Sequence, residues 1–336
     1  MSLRRDWNEF WFAPISSAPL GLFRLAFGSL VVAYILLLFP DRDLWFSDRG
    51  VLTTAAADAY NSQAIPGPVL NLLRGVNDPL GLLLFFVLFL ISALCLAVGL
   101  WTRLAALIVF VALDSLHTRN QLINSGADGV MMVMSGYLVM APAGAACSLD
   151  RLLRVRRGEE DDQAPLIVPW AQRLMQIQVA ILYLISFVNK WPGDKWRDGT
   201  AIYWALRIPD MARFPVPLLD ARHLWLVNIA TYATLAVELA LATLVWVPRL
   251  RLYVLAAGVL LHLGIEYSMN IPLFSFLMIA SYLVFLRQAD LERFVAWARK
   301  ALAAARLRAV YDGQRVDQRD VRARQQSERD KRRRQR

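Results

Sequence analysis

Apolar runs of about twenty residues, the length at which a helix crosses the hydrocarbon layer of a bilayer, recur along this chain and decide what it can fold into. The first, PLGLFRLAFGSLVVAYILLLF, covers 19–39, and others cover 80–100, 103–117, 129–146, 170–189, 224–247, 250–268 and 271–286. In lipid a helix satisfies its own backbone hydrogen bonds, which an open strand cannot do. We therefore expect an all-α fold, a polytopic integral membrane helical bundle of about eight transmembrane helices. The apolar content of 57% exceeds the roughly 45–50% of soluble domains, which agrees with that class.

The flanks divide the rest. Residues 1–18 read as an interfacial segment in which Trp and Phe anchor the first span, and 19–286 as the transmembrane domain. Over 287–310, Leu291, Phe294, Val295, Ala298, Ala301 and Leu302 recur at helical spacing with Arg and Lys opposite, the pattern of an amphipathic helix lying on a membrane. Residues 311–336, ending RVDQRDVRARQQSERDKRRRQR, carry almost no apolar side chain and are expected to be a disordered basic tail. Much of the net charge of +10 lies after Arg306. Beside a membrane, such cations suit anionic lipid headgroups, so we expect a lipid bilayer and no nucleic acid as partner.

Short loops rich in Lys and Arg stay in the cytoplasm. Arg4 and Arg5, Arg103, RLLRVRR (151–157), PRLR (248–251) and the tail fall on one side of an eight-span chain, which places both termini in the cytoplasm. The segment 190–223 goes against this pattern, since it lies outside yet carries Lys and Arg. The same topology sends three groups to the outer face: His117, Arg119, Asn124 and Asp128; Lys190, Trp196 and Asp198; and His262, Glu266 and Asn270.

Within the spans, Arg173, Gln176, Ala180, Tyr183, Phe187 and Lys190 recur at steps of three and four and so share one helix face. A polar face in lipid points into the bundle. Lys190 ends this seam, either as a functional group or as a lysine snorkelling to the headgroups. Arg24 and Glu238 lie at similar depths by the 1.5 Å rise of a helix, and a charge at mid-membrane is costly alone, so we expect them to form a structural ion pair. Asp114 with His117 and His262 with Glu266 can each share a helix face. The chain has three His, one of them (His223) in a loop, and we expect no metal site. Cys95 and Cys147 form no metal or redox motif and read as packing residues.

Taken in order, PLGLFRLAFG (19–28), GLWTRLAAL (99–107), LHTRNQLINSGADGVMMVMSGYLVMAPAGAACSLDR (116–151), QRLMQIQVAILYLISFVNKWPGDKWRDGTAIYWAL (172–206), VELALATLVWVPRLR (237–251) and HLGIEYSMNIPLFSFLMIASYLVF (262–285) resemble the bacterial HTTM, or horizontally transferred transmembrane, domain family. They also resemble the membrane part of the vitamin K-dependent gamma-carboxylases. The resemblance implies a site on the extracytoplasmic side, in the bacterial inner membrane. In those carboxylases a lysine after this span is regarded as the base that deprotonates a reduced quinone, which then reacts with oxygen. By motif that lysine is Lys190, with His262 and His117 assisting and Arg119, Asn124, Asp128, Trp196, Asp198 and Asn270 as ligand-binding candidates. The cofactor expected is a reduced quinone of the vitamin K or menaquinol type. The animal carboxylases carry a large lumenal domain after the membrane part, whereas this chain continues into a short helix and a basic tail. Chemistry on a quinone is therefore expected ahead of carboxylation of a protein glutamate. The alternative is a non-catalytic membrane binding, transport, immunity or scaffold protein, with a peptide or a small thiol-disulfide oxidoreductase as partner.

Overall fold

A computed structural model describes residues 3–64, 70–161, 163–215, 223–300 and 303. The chain divides into two compact units, Met1–Phe285 and Leu286–Arg336. The first unit runs α1 (Leu3–Phe12), β1 (Ile15–Ser16), α2 (Ala18–Leu38), α3 (Arg42–Phe46), α4 (Thr54–Ala64), α5 (Pro79–Val98), α6 (Thr102–Arg119), α7 (Gly126–Met140), α8 (Leu149–Arg156) and β2 (Leu166–Ile167). It continues through α9 (Trp170–Lys190), α10 (Asp194–Arg197), α11 (Ala201–Ala205), α12 (Leu224–Thr243), α13 (Arg251–Ser268) and α14 (Phe274–Ser281). Short 3-10 turns extend α12 to Trp246 and α14 to Phe285. The expected all-α class holds: among the described residues the one ribbon is β1–β2, antiparallel, with Ile15 opposite Ile167 and Ser16 opposite Leu166.

Each of the eight apolar runs becomes a helix, but the count of eight spans is not reached by length and composition. Among the described residues, four helices are long and apolar enough to cross a membrane: α2, α5, α9 and Leu224–Trp246; a fifth is reached if Phe274–Phe285 and Gln288–Lys300 count as one broken span. The others fall short for local reasons. Helix α6 carries Arg103, Asp114 and Arg119, α7 has 15 residues, and α14 has eight.

Local sequence sets the helix ends. Asp78 caps α5 by accepting from Gly81 N at 2.6 Å, ahead of Pro79 in the first turn. Gly99 closes α5 at φ 74°, the left-handed conformation that glycine adopts without strain. Ser148 and Asp150 of the SLD run both act as caps. The Ser148 hydroxyl accepts from Arg151 N at 3.1 Å, and Asp150 accepts from the backbone of Trp101 and Thr102 at 3.0 and 3.2 Å, holding the start of α6.

Helix pairs α2–α5, α6–α7, α9–α12 and α12–α13 pack against one another. At Gly28, a Cβ would meet the N and Cα of Ala97 at 2.6 Å, so α2 and α5 touch backbone to backbone, as small residues permit in membrane bundles. Gly28→Val is expected to lower stability by about 3 kcal/mol, since an overpacked contact with backbone cannot relax by a rotamer change. A reduced thermal midpoint in detergent checks this.

The expected Arg24–Glu238 ion pair is absent. Arg24 is fully buried and donates to the carbonyls of Leu96 (2.6 Å), Ala97 (2.7 Å) and Cys147 (2.5 Å). It therefore neutralises the negative end of α5, while Glu238 has a different cation. Equal depth in the membrane fixes a level but not the side of the helix from which a residue projects.

In the second unit the described helix is α15 (Gln288–Lys300), on which Phe294 and Trp297 are exposed with ring centroids 5.9 Å apart. The rest of the segment expected to 310, save Ala303, and the basic tail 311–336 lie outside the described residues.

Candidate functional site

The seam of α9 faces the bundle: Gln176, Ala180 and Tyr183 are buried. Gln172 and Gln176 both donate to the Val284 carbonyl, at 2.7 and 2.6 Å, and join α9 to the turn after α14. Further along, the Tyr183 hydroxyl is 2.7 Å from His262 Nε2 and 2.5 Å from the Tyr282 hydroxyl. His262 is 2% exposed, and its ring packs edge-on against Phe274 with centroids 5.6 Å apart. Its Nδ1 is buried without a hydrogen-bond partner.

Lys190 is the last residue of α9, and its ammonium turns back along the helix instead of outward. It meets the hydroxyl of Ser186, one turn earlier, at 2.5 Å and forms an ion pair with Glu238 of α12. Ser186 also donates to the same Glu238 oxygen, Oε1, at 3.1 Å. A snorkelling lysine would point its head toward water; this one points toward a carboxylate that is 5% exposed. The Trp196 ring lies 5.4 Å from Nζ, within cation–π range, and Phe187 stacks on Trp191 beside it at 5.7 Å. The second carboxylate oxygen of Glu238, Oε2, is buried without a partner. Tyr183 and Tyr282 lie within electrostatic range of Glu238, and His262 within range of Lys190. Three helices and the turn after α14 thus bring Lys190, Glu238, Ser186, Tyr183, His262 and Tyr282 into one region. Concavities of about 530 Å3 at Trp101–Leu104 and about 650 Å3 beside Cys147 lie elsewhere.

The other candidates separate from this cluster. His117 Nε2 is 3.4 Å from Asp128 Oδ1, at ion-pair distance but without hydrogen-bond geometry. Asp128 is fixed by Ser125, whose N–H and hydroxyl donate to it at 2.7 and 2.6 Å, and by the hydroxyl of Tyr34. Asn124 donates to the His117 carbonyl at 3.1 Å. Arg119 is fully buried, pairs with Asp48 at 3.1 Å and donates to the Leu52 carbonyl at 2.9 Å. These bonds fasten the α3–α4 region over the end of α6. Asp48 also accepts from the Thr54 hydroxyl and backbone N–H, which hold its carboxyl below the usual range. Asp198 is exposed, and the Thr200 hydroxyl and backbone N–H lower its carboxyl in the same way. Asn270 is exposed and its N–H donates to the Met211 carbonyl at 2.7 Å. Glu266, expected beside His262, pairs with Arg213 at 3.1 Å.

The residues missed in the sequence are Ser186, Glu238 in its true pairing, and Tyr282. Ser186 was findable as the i−4 neighbour of Lys190 on the same face, but Tyr282 becomes visible only once α13 and α14 are packed. Among the described residues no group of three or more His, Cys, Asp or Glu could hold a metal ion.

A helical bundle with several long apolar spans and charged side chains paired inside it defines a polytopic integral membrane protein. The HTTM domain model matches residues 12–289, and the chain belongs to the HTTM domain family. No match was found among the curated proteins or among the solved structures.

Proposed function

We propose that this HTTM-family protein acts on a reduced quinone or a related lipid-soluble hydroxy compound, with Lys190 as the base. The observation that carries the reading is the inward-turned Lys190 ammonium, bonded to Ser186 and to the buried Glu238. The surroundings suit such a substrate. Trp196 and the Phe187–Trp191 stack offer flat apolar faces beside the Lys190 ammonium. The chemistry a reduced quinone supplies is reaction with oxygen once its hydroxyl has lost a proton. The task of this chain is to take that proton and to hold the resulting anion beside a cation. On this reading the site belongs to the extracytoplasmic side of a bacterial inner membrane, with both termini cytoplasmic.

The test uses purified protein in lipid vesicles with reduced menaquinone or vitamin K hydroquinone, reading oxygen-dependent epoxide. Lys190→Ala is expected to lower the rate about 100-fold or more, the usual scale for a lost general base. Lys190→Gln, which can still hydrogen-bond Glu238, controls for folding. Equal background epoxide in wild type and variants would favour the second reading, a non-catalytic binding, transport, immunity or scaffold protein with a peptide or thiol-disulfide partner. The closure of the Lys190–Glu238 pair on itself is the observation that supports that alternative.

A further inference from the structure

We propose that Glu238 is the positioning residue that gives Lys190 its capacity as a base, because the proton taken from a substrate comes to rest on Glu238. This rests on the reading of Lys190 as the base. An ammonium has donors only and no lone pair to accept with. Two of the Lys190 contacts are occupied, by Ser186 and by Glu238 Oε1. The acceptor capacity in the cluster lies on the carboxylate, whose Oε2 is buried and bare.

The step balances within the pair. The substrate O–H bond breaks and its proton goes to the Lys190 nitrogen as that nitrogen passes one of its own to Glu238. The pair moves from no net charge to +1 while the substrate moves to −1. The oxyanion therefore forms against an ammonium that is partly buried beside Glu238, where the attraction exceeds that in bulk water. The facing groups leave this route open. From α9, Tyr183 is bonded to His262 of α13 and to Tyr282 after α14. From α7, Tyr137 meets Gln178, three turns below Lys190. Trp196 presents a neutral ring. Helix α12 supplies Glu238 itself.

The experiment uses the full chain in lipid vesicles with reduced menaquinone as probe. Glu238→Gln is expected to slow quinol oxidation at neutral pH about tenfold or more. Glu238→Asp keeps the carboxylate and is expected to retain most of the wild-type rate. An undiminished rate in Glu238→Gln overturns the proposal. A second readout needs no turnover: at fixed pH, labelling of Lys190 by a permeant amine-reactive ester should be faster in Glu238→Gln, since the nitrogen is then released from its ion pair. If wild type oxidises no quinol, the quinol reading falls and labelling alone decides whether Glu238 governs the amine; unchanged labelling overturns that too. Should Glu238→Gln fail to fold, a permeant carbodiimide can cap Glu238 in wild-type protein. Complete capping with undiminished quinol oxidation overturns the proposal.

Discussion

Arg24→Met is expected to cost about 4 kcal/mol and to lower the yield of folded protein, because three carbonyls lose a charged donor at once. Those carbonyls belong to Leu96, Ala97 and Cys147. Two of them end α5, where backbone acceptors have no partner within the helix. Methionine fills much of the volume but donates nothing. Arg24→Lys should recover part of the loss, since one ammonium on a flexible stem cannot reproduce the planar fork of a guanidinium. Gly99 cannot help by shifting: a Cβ there would lie 2.7 Å from Arg24 Nη1, so the guanidinium is already seated against the turn. Denaturant titration in detergent checks the ordering wild type, Lys, Met. Equal stability of wild type and Arg24→Met would mean that water replaces the guanidinium, and that this end of α5 is wet.

The second large effect concerns the pair at the site. Lys190→Met is expected to destabilise by about 3–5 kcal/mol, the range for leaving a buried charge without its partner. Adding Glu238→Leu should return most of that stability, because an apolar pair of similar volume needs neither desolvation nor pairing. The double-mutant cycle isolates the interaction. Ser186 stays in both backgrounds and keeps the hydroxyl that each partner uses. If the single variant is as stable as wild type, Glu238 is hydrated or protonated in the absence of Lys190. The two outcomes also bear on the chemistry. A double variant that is stable yet inactive separates the functional role of the pair from its structural role.

Much of the helix pattern was legible in the amino-acid order, because apolar length is a local property. The α9 seam was legible for the same reason: a period of three and four fixes which side chains share a face, and Gln176, Ala180 and Tyr183 are buried together. The partners of the buried charges were not legible. Arg24 bonds to backbone carbonyls, which carry no signature in the sequence, and Glu238 meets Lys190 through the rotation of α12 about its axis, which depth alone does not determine. Charge inside the runs had a second effect, since α6 with Arg103, Asp114 and Arg119 reads as a span from its apolar residues but fails on its polar ones. The amino-acid order sends the outer polar residues to one membrane face but does not say which of them meet. Arg119 and Asn124 instead meet the backbone of their own neighbourhood, as polar groups do when the nearest acceptors are carbonyls of an adjoining loop.

The short ribbon between Ile15–Ser16 and Leu166–Ile167 sets an order of events during synthesis. Ser17 and its partner Pro165 are 148 positions apart, and a ribosome adding about 5–20 residues per second makes the second strand many seconds after the first. Through that interval the strip ahead of α2 has no strand to pair with, while α2, α5, α6 and α7 are already emerging. The ribbon cannot close before Ile167 is made, just ahead of α9.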